Sequence, residues 1–155
     1  MKRFFYVFFG LFSFVLTAQN EDEIGVKRAL DDFFTAFHAQ DSVALKNIVH
    51  PEIVLQTIGK TKDGDEQLKN EDFHIFLKSI VSIPDSIRFE ERLMDYSIQI
   101  DGPMANAWTP YEFWLNAEFH HCGVNSFQLL KEKGNWKIIY LIDTRRKDNC
   151  YRRTE

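Results

Sequence analysis

The stretch Trp108-Thr-Pro-Tyr-Glu-Phe-Trp-Leu-Asn-Ala-Glu-Phe-His-His-Cys-Gly-Val-Asn-Ser-Phe-Gln-Leu-Leu-Lys-Glu-Lys-Gly-Asn-Trp-Lys-Ile-Ile-Tyr-Leu-Ile-Asp-Thr-Arg-Arg146 decides the fold, because it reads as two consecutive β-hairpins. In the first, residues 111–115 return through Asn116, Ala117 and Glu118 into residues 119–122. A three-residue turn sets Phe113 near His121 and Tyr111 near Gly123. In the second, residues 122–132 meet residues 136–145 across Lys133, Gly134 and Asn135. An even-length turn places Phe127 and Leu129 on the face of Trp136, Ile138, Tyr140 and Ile142; an odd one would set them beside Lys137 and Asp143. The first register keeps every large ring on one side and is adopted here.

Pro110 cannot donate to a ladder, so a bulge is expected there that re-aims Trp108. The result is a bent sheet with an aromatic concave face. Its few polar groups are Tyr111, His121, Asn125, Tyr140 and Thr144, while alternation sends Glu112 and Asp143 to the convex side. Asp95 lies in a strand without a clear phase and can face either way.

Outward from this stretch, the chain opens with Met1-Lys-Arg3, continues as an apolar run from Phe4 to Leu16, and reaches small residues at Thr17 and Ala18. That is the three-part pattern of a secretory signal, expected to span residues 1–18 and to be removed. The run is shorter than the ~20 residues of a spanning helix, so no stable membrane anchor is expected after cleavage. The mature product is then an exported protein, periplasmic or secreted, with one domain over residues 19–155. Its net charge of −4 becomes more negative once Lys2 and Arg3 leave, which argues against nucleic acid as a partner. Export to an oxidising compartment permits a disulfide between Cys122 and Cys150, the alternative being two separate thiols.

Val26, Leu30, Phe33, Phe34 and Phe37 form a helical stripe within residues 20–40, with His38 at its boundary. Asp41 caps a short second helix that Pro51 ends, and residues 53–58 read as a strand closed by Gly59. Residues 60–69 are a polar hairpin or loop. Asn70, Glu71 and Asp72 open a third helix with a stripe of Phe73, Phe76, Leu77 and Ile80, closed by Pro84. Residues 88–100 read as one long strand that Asp101-Gly-Pro103 turns into the strand from Met104 to Leu115. The pattern is α+β: a curved, cone-shaped antiparallel sheet covered by three helices. The strand at 136–145 is apolar on both faces, so a homodimer through the convex sheet face is expected.

These residues carry a resemblance. The opening with Phe33, Phe34 and Phe37, the step from Asp41 through Leu45 to His50 and Pro51, and the closing run from Gly134 through Ile138 to Thr144 resemble the nuclear transport factor 2-like superfamily. That group includes ketosteroid isomerase-like and polyketide cyclase-like proteins. The resemblance implies a cone of sheet closed by three helices, a ligand cavity inside, and frequent dimerisation. It implies no single reaction, because the fold hosts isomerases, dehydratases, hydrolases and binding proteins. The isomerase branch needs a carboxylate base and a Tyr with a protonated acid facing the substrate, and that set is not found in this reading. The export signal contradicts a nuclear-transport role.

Two chemical readings of the pocket follow. In one, it binds a small apolar or aromatic molecule against Trp108, Phe113, Phe127 and Tyr140, with Asn125 orienting it. In the other, His121 is a general acid or base near neutrality, aided by Tyr111, acting on a small apolar carbonyl or cyclic compound as an isomerase, dehydratase or cyclase does. A filled core is the third possibility. His120, His121 and Cys122 are adjacent, so alternation should keep them from converging on a metal; neither metal nor cofactor is expected.

Overall fold

Helix α1 (Phe8–His38) turns Val26, Leu30, Phe33 and Phe34, none more than 6% exposed, onto the sheet. Its far side is solvated, with Lys27 paired to Asp31 one turn on at 2.7 Å. The computed structural model describes residues 8–151, with side chains from Glu21 to Tyr151, so the secretory-signal reading of residues 1–18 lies outside the described side chains. Among the described residues no helix is long and apolar enough to cross a membrane.

Asp41 caps helix α2 (Ser42–Ile48) by accepting from the amides of Val43 and Ala44 at 3.0 and 2.9 Å. Strand β1 (Val49–Lys60) and strand β2 (Glu66–Glu71) form a hairpin over the polar segment, with β2 an exposed edge. Asp72, rather than Asn70 or Glu71, caps helix α3 (Phe73–Val81), whose Leu77 and Ile80 are buried.

The remaining strands are β3 (Phe89–Leu93), β4 (Ser97–Asp101), β5 (Met104–Leu115), β6 (Glu118–Glu132) and β7 (Asn135–Arg146). The sheet order is β2-β1-β7-β6-β5-β3, with β4 also on β5. The α+β architecture is as the sequence indicates, but the sheet is mixed: β1 runs parallel to β7. After β2 and α3 the chain runs through β3 and β4 in one direction and then reverses into β5, β6 and β7, which brings the last strand back beside β1 and parallel to it.

Residues 88–100 are two strands, not one. Their break at residues 94–96 faces Pro110, whose carbonyl accepts from the Met94 amide at 2.8 Å. A paired strand residue directs its N–H and C=O toward the same neighbour, so the N–H that Pro110 lacks would have pointed at this break. The irregularity therefore sits in the partner strand. Trp108 keeps its register opposite Ser126, on the convex face and 54% exposed.

Both hairpins turn on two residues, Asn116–Ala117 and Lys133–Gly134, all at positive φ, the hand that suits twisted strands. One-residue bulges then reset both registers. Between β5 and β6, His120 is the extra residue, so Phe113 still faces His121 and Tyr111 faces Gly123. Between β6 and β7, Ile139 is extra: Leu129 pairs with Ile138, but Phe127 pairs with Leu141. Beyond it every side chain of β7 changes face. Asp143 and Arg145 turn inward, and Tyr140, Ile142 and Thr144 turn outward.

The core lies between α1 and the closed end of the sheet, where Phe127 meets the rings of Phe33 and Phe34 edge-on, over Ala105, Ala107, Leu129 and Ile138. Each such aromatic or branched side chain stabilises the fold by ~1.5–3 kcal/mol on burial. The small side chains of Ala105 and Ala107 leave room for those rings. Packing is complete there and gives out toward α3, which leaves a hollow at the open end.

Candidate functional site

That hollow is a cavity of about 430 Å³ between α3 and the concave faces of β3, β5, β6 and β7. Phe37, Phe76, Ile80, Phe89 and Phe113 form its apolar walls. Glu71, Glu91, Tyr111, His120, His121, Asp143 and Arg145 supply its polar groups. A recess of about 90 Å³ shares Glu71, Glu91, Asp143 and Arg145 and reaches Asn125. A shallower cleft of about 600 Å³ runs along the outer side of β3, but there Arg92 is already paired with Glu90 at 2.7 Å and lies over the Trp114 ring. The cavity on the concave face, where apolar walls meet Glu91, Tyr111 and His121, is the stronger candidate.

Glu91 is its centre. Phe89, Glu91 and Leu93 alternate inward along β3, so a carboxylate stands between two core residues. Asn125, 3% exposed, donates from Nδ2 to Glu91 Oε1 at 2.6 Å. From behind, His38 Nε2 accepts from the Glu91 amide at 2.8 Å, which fixes the strand to the end of α1. Burial pushes the Glu91 carboxyl up to about 7; the Asn125 bond opposes this, nearby Asp143 adds to it, and Arg145 offsets part. At neutral pH this acid therefore holds its proton about half the time.

Arg145 Nε donates to Asp143 Oδ2 at 2.7 Å. Burial works against the guanidinium, but that hydrogen bond and the adjacent charge leave it more firmly protonated than usual. Tyr111, 1% exposed, donates from its hydroxyl to the Thr144 carbonyl at 3.0 Å, with Asp143 Oδ2 at 3.3 Å. Burial, then the negative charges of Glu91 and Asp143, raise its pKa, so the phenol stays protonated. Its ring lies against Gly123, where an added Cβ would come within 2.7 Å of the ring and 1.8 Å of the Thr144 oxygen. Only glycine fits. Burial also raises Glu71, with Arg145 opposing and Asp143 adding.

His121 stacks on Phe113 at 4.9 Å between ring centres. Burial, then the positive charge of Arg145, bring its pKa down to about 4, so it is neutral at pH 7 rather than poised near it. The bulge at His120 also overturns the alternation argument for this segment. The two imidazoles meet, Nδ1 to Nδ1 at 2.8 Å, while Cys122 is bonded to Cys150 with Cα atoms 5.7 Å apart. Among the described residues no group of three or more His, Cys, Asp or Glu side chains converges as a metal ion would require.

Of the residues singled out from sequence, the cavity or its recess brings together Tyr111, Phe113, His121 and Asn125. It does not include Trp108, which is convex, or Tyr140, which the Ile139 bulge turns outward so that its hydroxyl bonds Gln56. Phe127 is concave but fully buried under α1, a core residue rather than a wall. Asp95 is exposed at the β3–β4 break and accepts from the Tyr151 hydroxyl at 2.9 Å. Sequence reasoning missed Glu71, Glu91, Asp143 and Arg145. The run Phe89-Glu-Glu-Arg-Leu93 carried a signal for Glu91, since inward Phe89 and Leu93 two residues either side imply an inward Glu91. The bulge that re-aims Asp143 and Arg145 left no local mark.

No protein-family profile matches this sequence, and no curated protein matches it. Solved structures do. A nuclear transport factor 2-like protein of unknown function from Shewanella baltica superposes with a TM-score of 0.60 at 14% identity, over 83% of this chain and 96% of its own. A protein of unknown function from Mycobacterium tuberculosis gives 0.69 at 13%, over 86% of this chain and 77% of its own. A protein of the same group from Streptomyces avermitilis, provisionally named a dehydratase, gives 0.64 at 13%, over 84% and 99%. Another such neighbour, from Nostoc punctiforme, is described as having a cystatin-like fold. At these identities the likeness speaks for architecture alone, and the chain has the nuclear transport factor 2-like, or cystatin-like, fold.

Proposed function

We propose that this chain is a small-molecule-binding domain, its occupant seated in the 430 Å³ cavity with an apolar body against Phe76 and Phe113 and a polar end toward Glu91. The observation that carries the reading is the pairing of apolar walls with one polar cluster gathered around Glu91 and Tyr111, the usual make-up of a ligand site. Native mass spectrometry of protein purified without added ligand tests it. A retained small molecule that is lost on Ile80→Trp, which fills the cavity, supports the reading; an empty wild-type protein that also binds no apolar probe refutes it.

A second reading is acid–base catalysis on such a molecule. One observation favours it: the Glu91 carboxyl titrates near neutrality inside the cavity, as a general acid or base should. In this reading Glu91 takes the role first assigned to His121, with the neutral Tyr111 phenol and Asn125 as orienting groups. Dehydration, the reaction class in the provisional name of the Streptomyces avermitilis protein, needs such a group, because a proton leaves carbon and a proton joins the departing hydroxyl as water is lost. A pH–rate profile with an inflection near 7 that disappears in Glu91→Gln would support it.

We further propose export and self-association. The basic start, apolar run and small residues ending at Ala18, together with a Cys122–Cys150 bridge, suit an oxidising compartment. Val54, Ile58, Leu68, Met104 and Trp108 are exposed on the convex face, where a second copy would cover them.

A further inference from the structure

Three carboxylates from three strands reach one cavity: Glu71 from β2, Glu91 from β3 and Asp143 from β7. The one guanidinium there, Arg145, is taken up by Asp143 at 2.7 Å. The His121 imidazole facing the same space is neutral at pH 7, so it does not balance the remaining acids. Asn125 supplies one neutral hydrogen bond to Glu91. The cavity is thus short of positive charge by as much as two units when Glu71 and Glu91 are both ionised. Opposite Asn125 in the β5–β6 ladder, Thr109 is fully buried and its Oγ1 has no hydrogen-bond partner among the described residues.

We propose that the occupant is an organic amine cation on an apolar body, its ammonium among Glu71, Glu91 and Asp143 and its hydrocarbon part against Phe37, Phe76 and Phe113. This rests on the binding reading above and narrows it to one ligand class. An ammonium group offers up to three donors and a full positive charge, which match a set of three carboxylates that the one guanidinium of Arg145 balances only in part. Aromatic faces attract the same charge, by ~0.5–2 kcal/mol per well-placed ring. A neutral alcohol or carbonyl would leave Glu91 needing its own proton. A carboxylate ligand would have to displace Asp143 from Arg145 while facing two further acids.

The test uses three probes of one shape: 2-phenylethylamine, 2-phenylethanol and 3-phenylpropanoate, titrated calorimetrically at pH 7 into the whole protein. The amine should bind at least about tenfold tighter than the alcohol, with the carboxylate weakest. Amine binding should also release about half a proton, read from heats in buffers of different ionisation enthalpy, because the cation drives Glu91 to ionise. Glu91→Gln should abolish the release and most of the preference for the amine, and Glu71→Gln should weaken amine binding without affecting the release. If the alcohol or the carboxylate binds as tightly as the amine, the amine proposal falls and the binding reading stands. If none of the three binds, both fall.

Discussion

Asn125 and Glu91 are joined by a 2.6 Å hydrogen bond that spans β5, tying β6 to β3 across the concave face although those strands share no ladder. The bond satisfies an amide 3% exposed and holds one oxygen of the Glu91 carboxyl. It makes the polar end of the cavity a fixed feature of the fold rather than a loose side chain.

Glu91 makes stability depend on pH in a stated direction. Its pKa rises from 4.5 in the unfolded chain to about 7 in the folded one, so between those values the folded state binds more protons. Stability therefore falls as pH rises through this window and stays reduced above it. Glu91→Gln should stabilise the protein at pH 8 by ~1–3 kcal/mol and change it little at pH 4. Urea denaturation at the two pH values measures this.

His121 works on the acid side. Its folded pKa of about 4 lies below the unfolded 6.5, so the folded state binds fewer protons in between and stability drops as pH falls from 6.5 toward 4. The ring is partly exposed, which keeps the effect small. An NMR titration should show His121 titrating well below 6.5, and moving back up in Arg145→Gln once that positive charge is gone.

Removing the donor isolates the acid. Asn125→Leu should raise the Glu91 pKa above 7, because the carboxylate loses the bond that partly offset its burial, and should cost ~1–3 kcal/mol. A carboxyl carbon-13 titration of Glu91 with a denaturation curve checks both.

How far the sequence could be read divides at two bulges. The helix cap at Asp41, the stripe from Val26 to Phe34 and the places of both hairpins were legible, because each depends on local spacing and turn chemistry. The pairing of Phe113 with His121 came out right for the wrong reason: a three-residue turn was expected, but a two-residue turn and the His120 bulge give the same offset. At Ile139 no such compensation exists, and one extra residue exchanged Tyr140 for Asp143 and Arg145 at the cavity. The run Ile138-Ile-Tyr-Leu-Ile142 is apolar at every position, so no alternation marks where the strand slips. Parity arguments fail where both faces are equally apolar.

Gly123 sets the Tyr111 ring in place, and the cost of any side chain there should be large. A Cβ would overlap the Thr144 carbonyl, backbone that cannot swing aside, as well as the phenol. Gly123→Ala should destabilise by ~3 kcal/mol or more, beyond an ordinary surface change. If thermal denaturation finds it within ~0.5 kcal/mol of wild type, the close packing of β6 against Tyr111 is wrong.

The convex face gives the last expectation. The Ile139 bulge places Tyr140 and Ile142 there beside Val54 and Ile58, with Trp108 on the same outward side across Ser126 of β6. Exposed patches of this kind mark association surfaces, and a second copy related by a two-fold axis would cover both at once. Wild-type protein should sediment as a dimer at micromolar concentration, and Ile58→Lys with Trp108→Glu as a monomer of unchanged circular dichroism. Neither residue lines the cavity, so probe binding should survive the pair of changes. A wild-type protein that is monomeric at high concentration would leave this face without the partner argued for it.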